Sequence, residues 1–390
     1  MILRNARCIF PDGVREGLEV VVDQGKIAEV RQAWPALSGS AGTTKPETEI
    51  DLAKNYLAPG FVDLHVHGAV GKDTMAATEK AFRAICEYHA SGGTTSLLLT
   101  TATAPISAIL KVVEAARRYR NSIKQIAGLH VEGPFLSKAK PGAQRLTMMR
   151  NPTPKSYGPL LECGDIIKRM TFAPELPGAI ALIDELQKHH IDPSGGHSDA
   201  WEEDARTAFD HGMRSVTHTF NCMSGSRRRG SDRVAGLIEF ALSEPGIVCE
   251  LIADGHHVSP TLIKLLYQAK GARGICLVTD ATAGAGLPDG SKFSVYGKKC
   301  VVENGVCYLA DHSTLAGSAS SMIDLVQTMV TKVNVPIHEA VAMATDTPAH
   351  AVGLGAKGQF KIGGDADFVV LSPELEVLRT FVAGEEVYSR

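Results

Sequence analysis

Between positions 61 and 279 the chain alternates short β-branched runs with helical stripes, and few folds accept that pattern. Apolar runs at 61–64, 94–99, 126–131, 170–173, 215–217, 247–252 and 275–279 end in turn residues, which predicts strands. Stripes at 78–90, 106–120, 179–189, 201–211 and 260–269 predict helices between them. A βα alternation of this length requires a parallel sheet covered by helices. It leaves open whether that sheet closes into a barrel or stays open and doubly wound. Asp192-Pro193 falls where one strand should run, so that strand is expected to be short.

The two ends read differently. Runs at 2–6, 18–22 and 27–30, punctuated by Pro11-Asp12-Gly13 and Gln24-Gly25, predict strands. Runs at 368–371 and 377–382 follow Gly363-Gly364, and a polar stretch at 37–49 reads as loop. We expect the ends to pair into one small β-domain, residues 1–57 with 355–390, flanking a catalytic domain at 58–354. A chain of 390 residues accommodates that division.

Composition excludes some classes of function. A net charge of −3 sets up no global field for nucleic acid or an anionic membrane, although local basic clusters can still bind phosphate. The opening MILRNARCIF lacks a cleavable apolar segment, and the most apolar stretch, at 97–99, is too short to span a bilayer. The expectation is a soluble, cytoplasmic protein. None of the eight cysteines forms a Cys-x-x-Cys pair, so they read as reduced core thiols.

The informative polar residues fall at strand ends. His65 and His67 close the first strand, Glu132 follows the run ending at Val131, and His197 precedes a helix. His218 follows the run at 215–217, and Asp280 follows the run at 275–279. If the sheet is a barrel, the carboxyl ends of all strands meet on one face, so these groups converge although far apart in sequence. His65 and His67 lie two apart and point the same way, which suits a shared divalent ion. Each residue alone has a bland reading: paired histidines, a capping carboxylate, a turn aspartate. The register of the set favours a metal site.

Eight segments in order from Pro59 to Ser318 carry a resemblance: PGFVDLHVHG, HVEGPFL, FAPE, GHSDA, THTFN, ADGHHV, LVTDA and LAGS. They resemble the motif series of the N-acetylglucosamine-6-phosphate deacetylases, a branch of the amidohydrolase superfamily. The resemblance implies a (β/α)8 TIM-type barrel with a small β-sandwich domain built from both chain termini. It implies that Glu132, His197 and His218 hold one divalent metal ion. His65 and His67 would hold a second, with Glu132 bridging. Zinc and iron both suit such N/O ligands. A metal-held water has a pKa near about 7, and Asp280 is expected to take its proton and pass it to the departing amine.

For an amino-sugar phosphate substrate, the resemblance assigns phosphate binding to His257 and to an arginine supplied across a homodimer interface. Arg228 or Arg229, in the run RRRGSDRVAG, corresponds best. Sugar contacts are implied for Asn221, the Cys222 backbone and Leu315. One departure stands out. Where the family commonly has a histidine after HVEGPFL that helps hold and polarise the substrate carbonyl, this chain has Gln144, expected at the same substrate-binding place, whose amide donates a hydrogen bond but carries no charge. Two alternatives therefore stay open: the N-acetylgalactosamine 6-phosphate epimer as substrate, and a cyclic-amide hydrolase of the same superfamily. No lysine ends a central strand to bridge two metals, which disfavours the second.

Overall fold

A computed structural model of the protein describes residues 1–33 and 48–390. Most of the stretch at 37–49 lies outside the described residues. Its last residue opens the strand Glu49–Asp51.

Eight parallel strands stand side by side in sequence order: Phe61–Val66, Thr94–Thr101, Ile126–Glu132, Ile167–Phe172, Asp192–Gly195, Ser215–Val216, Val248–Leu251 and Ile275–Leu277. The chain beyond the eighth strand returns to the first. The Asp280 N–H donates to the His65 carbonyl at 2.9 Å, and Val66 bridges Ala281 in parallel. The sheet is a closed (β/α)8 barrel. The strand containing Pro193 is short, four residues, and ends at Gly195.

Helices return the chain between strands and cover the outer face of the barrel. In Ile106–Tyr119, Ile109, Val112, Val113 and Ala116 recur at helical spacing. They pack in one buried cluster with Leu97 and Leu99 of the second strand and Leu129 and Val131 of the third. Each such side chain contributes about 1.5–3 kcal/mol by leaving water. The first helix, Glu79–Ser91, is capped by Thr78, whose side chain accepts from Ala81 N–H at 3.3 Å.

The inner face is polar. Bonds from Glu250 on strand seven to His65 on strand one and Arg169 on strand four join non-neighbouring strands, so they cross the lumen. Above them Thr171 and Thr217 share a 2.7 Å hydrogen bond, and Thr171 also bonds His130 Nε2 at 2.7 Å.

Strands from both ends form one further sheet, in the order Glu385–Ser389, Val377–Val382, Phe368–Leu371, Tyr56–Pro59, Ile2–Phe10, Gly13–Asp23 and Lys26–Gln32. It curls on itself. Gly363 N–H donates to the Ile27 carbonyl at 2.8 Å, and Ala366 N–H to the Gly25 carbonyl at 2.9 Å. Leu3, Val20, Ile27, Leu57, Phe368 and Phe381 share its enclosed core. The layers of the expected sandwich are thus one continuous ladder. Gly60 carries the chain from this sheet into the barrel. A Cβ there would sit 2.2 Å from two Thr95 side-chain atoms, so the crossing needs glycine.

Beyond strand eight, a four-stranded antiparallel insertion spans Lys292–Val295, Lys298–Glu303, Val306–Leu309 and Leu315–Ser318. It was not expected from the sequence, and it roofs the mouth of the barrel. Among the described residues, no helix is long and apolar enough to cross a membrane.

Candidate active site

Glu132, the last residue of the third strand, lies at the centre of the mouth. Its Oε1 is 3.2 Å from Nε2 of both His197 and His218, and its Oε2 is 3.2 Å from His67 Nε2. His65 Nε2 stands 3.5 Å from Glu132 Oε1 and 3.1 Å from His67 Nε2. Asp280 Oδ1 completes the second group, 3.4 Å from Nε2 of each strand-one histidine. Two overlapping sets result, His65–His67–Glu132 and Glu132–His197–His218.

These separations test whether an ion fits. Donors about 2.0–2.1 Å from a tetrahedral ion lie about 3.3–3.4 Å from one another. The observed spacings of 3.1–3.5 Å bracket that value. The donor set fits one divalent ion in each group, with Glu132 common to both.

Electrostatics agree. Burial opposes protonation of His65, yet the carboxylates of Asp280 and Glu132 outweigh it and hold the imidazole well above its ordinary range. Burial likewise opposes ionisation of Glu132, and His65 with the hydrogen bonds of His197 and His218 carries it well below. The cluster is built to hold positive charge. A divalent cation supplies that charge without protons.

The backbone bends sharply where these groups leave the strands. His197, His218 and Asp280 all have left-handed φ angles, of 46°, 32° and 48°. Such conformations cost non-glycine residues of order 1–3 kcal/mol and concentrate where function demands a particular aim. His197 is also fixed through Nδ1, which donates to the Lys140 carbonyl at 2.8 Å.

A cavity of about 260 Å³ opens from this cluster and is lined further by Gln144, Asn221, Cys222, His257, Tyr296, Leu315 and Gly317. His257 donates from Nδ1 to Asp254 Oδ2 at 2.7 Å, which leaves Nε2 for a ligand. Burial lowers its pKa, and Asp254 more than restores it, holding the imidazole above its ordinary range. Gln144 is engaged inside the site: Nε2 donates to Glu132 Oε2, and Oε1 accepts from Thr103 N–H at 2.9 Å.

The basic run behaves differently. Arg227–Arg229 is a strand paired with Asp232–Val234 in a hairpin. Arg227 and Arg229 lie over the Trp201 ring at 4.0 and 4.1 Å, paired to Asp199 and Glu203 respectively. Arg228 has only the Ser231 carbonyl as partner among the described residues. None of the three lines the cavity, whose described lining includes no lysine or arginine.

Three contributors were missed by the sequence reading. Tyr296, at the tip of a hairpin in the insertion, sets its ring edge-on to His67 at 5.5 Å. Glu250 and Arg169 lie fully buried beneath the mouth. Arg169 was hidden because a charged residue interrupts the apolar run of its strand.

A barrel with paired histidines on strand one, a carboxylate on strand three and an aspartate after strand eight defines a class of hydrolase. Residues 56–387 match the amidohydrolase family, and the chain belongs to it: a metal-dependent enzyme that hydrolyses carbon–nitrogen bonds. The N-acetylglucosamine-6-phosphate deacetylase of Lysinibacillus sphaericus is 32% identical over 98% of this chain and 97% of its own length. An Escherichia coli N-acetylgalactosamine-6-phosphate deacetylase is 30% identical, with 98% of each chain covered. The crystal structure of the Pasteurella multocida N-acetylglucosamine-6-phosphate deacetylase superposes with a TM-score of 0.91 at 32% identity, covering 100% of this chain and 99% of that one. Within the amidohydrolases, the chain falls in the N-acetylglucosamine-6-phosphate deacetylase branch.

Proposed function

We propose that this protein hydrolyses the acetamide of N-acetylglucosamine 6-phosphate to glucosamine 6-phosphate and acetate. The observation that carries the reading is one cavity lined both by members of the two metal-ligand sets and by His257. It is supported by relatives and solved structures that bear that name over nearly the whole chain.

Glu132, His197 and His218 would hold one ion, and His65 and His67 would share Glu132 in holding a second; zinc or iron suits this donor set. When bound, such an ion polarises the carbonyl and makes water a nucleophile near neutral pH. Asp280 takes the proton of that water and delivers it to the amine nitrogen as the carbon–nitrogen bond breaks. Asn221, the Cys222 backbone and Leu315 position the sugar, and His257 pairs with the phosphate. Gln144 orients Glu132.

The phosphate dianion needs more positive charge than His257 supplies. We assign it to Arg228 or Arg229 of a second copy in a homodimer, and Arg228, whose guanidinium meets only the Ser231 carbonyl and no carboxylate among the described residues, is the better candidate. The eight free cysteines, seven of them buried, suit a reducing cytoplasm. We divide the chain into residues 1–57 with 355–390 and 58–354, a reading that the curled terminal sheet and the barrel support, with the strand Tyr56–Pro59 carrying the first unit on to Gly60.

The test is acetate release from N-acetylglucosamine 6-phosphate, its galacto epimer and both unphosphorylated parents. The gluco phosphate should be fastest, and equal rates without phosphate would refute the phosphate assignment. The galacto epimer is the second reading, since one relative at 30% identity bears that name.

A further inference from the structure

The ligand histidines differ in what holds their outer nitrogens. His197 Nδ1 meets a backbone carbonyl, and His218 Nδ1 is buried with no partner among the described residues. His65 Nδ1 alone among them meets a carboxylate in the described residues, Glu250 Oε2 at 3.2 Å. A carboxylate only accepts, so the contact requires the proton on Nδ1 and leaves the Nε2 lone pair facing Glu132 and Asp280. The same Oε2 accepts the His218 N–H at 3.1 Å. On its other side, Glu250 Oε1 accepts from Arg169 Nη1, and Arg169 Nε donates to Asp192 Oδ2 at 2.7 Å. Arg169 and Glu250 are both fully buried.

A buried ion pair is weak evidence of stability, because desolvation costs about as much as the pairing returns. Its placement against a ligand calls for another role. We propose that Glu250, aimed by Arg169, is a positioning residue that fixes the tautomer of His65 and thereby retains the ion shared by His65, His67 and Glu132. The inference rests on the two-ion reading of the site.

Glu250→Gln tests it. Arg169 requires an acceptor, so the new amide turns its oxygen to Arg169 and its NH2 to His65. Nδ1 must then accept, and the proton moves to Nε2, the atom needed by the ion. Zinc titrated into the metal-stripped full chain should show an affinity loss of about 10- to 100-fold at the site that includes His65, and a smaller one at the other, because the His218 backbone N–H loses its acceptor as well. In a His65→Ala background, which lacks that ion, only the smaller loss at the His218 site should remain. Glu250→Asp keeps the charge opposite Arg169 but falls short of His65, so it should repeat the selective loss should the amide variant not fold. Wild-type zinc affinity at both sites in Glu250→Gln or Glu250→Asp would overturn the proposal, as would an equal loss in the His65→Ala background. A wild-type chain that binds no zinc would instead refute the metal reading.

Discussion

Asp280 and His65 meet twice: the Asp280 N–H donates to the His65 carbonyl at 2.9 Å, and Asp280 Oδ1 lies 3.4 Å from His65 Nε2. One pair of residues both closes the barrel and joins the two ends of the ligand array. The carboxylate is close enough to share an ion with His65 and His67, and it faces the cavity. Asp280→Asn should therefore lower kcat by about 10²- to 10⁴-fold, the usual contribution of a general acid–base group. The ion held by Glu132, His197 and His218 should remain. Steady-state kinetics with metal analysis checks both, and retained turnover would mean another residue moves the proton.

Phosphate recognition separates from chemistry. Arg228→Ala and His257→Asn should raise KM for the 6-phosphate severalfold and leave the slow hydrolysis of the unphosphorylated sugar unchanged. Because Asp254 raises the His257 pKa, the cationic ring is retained at low pH and lost as pH rises through its folded value. KM for the phosphorylated substrate should climb on the alkaline side in the wild type, and less so in His257→Asn.

Gly142 approaches the site in a left-handed conformation, φ 52°. A Cβ there would meet Cys222 Sγ at 2.6 Å and His197 Cε1 at 3.3 Å. Gly142→Ala should disturb both His197 and the sugar contact at Cys222, reducing kcat/KM by more than tenfold, with about 1 kcal/mol of added backbone strain. Kinetics and a thermal melt together measure the two effects.

One contributor to acid stability lies outside the ligand set. His89, fully buried in the first helix, has its pKa lowered by burial from 6.5 to about 4. The unfolded chain takes up a proton below 6.5 and the folded chain does not, so stability present above 6.5 is lost as pH falls towards 4. The full effect is about 3 kcal/mol. His89→Leu should flatten this part of the curve in melts recorded between those pH values, and an unchanged slope would contradict the assignment.

Much of this was legible in the sequence because periodicity and strand-end register are local properties. The runs at 368–371 and 377–382 are the observed strands Phe368–Leu371 and Val377–Val382. The fourth barrel strand was read as starting at 170 and begins at Ile167, because Lys168 and Arg169 break the apolar run. The partners Glu250, across the lumen, and Asp192, on the next strand, show why a charge belongs at 169. The helix Pro154–Leu161 was missed because it contains Gly158 and Pro159, both helix breakers by propensity, and is held by the Thr153–Ser156 capping box. The insertion over the mouth escaped notice because its strands do not follow the βα rhythm, and Tyr296 escaped with it.

Glu132 belongs to both ligand sets, so metal content on its removal tests the account most directly. Wild-type protein purified without chelator should carry up to two divalent ions per chain, and Glu132→Ala, folded by circular dichroism, should carry almost none. Undiminished metal in that variant would contradict the shared-carboxylate centre.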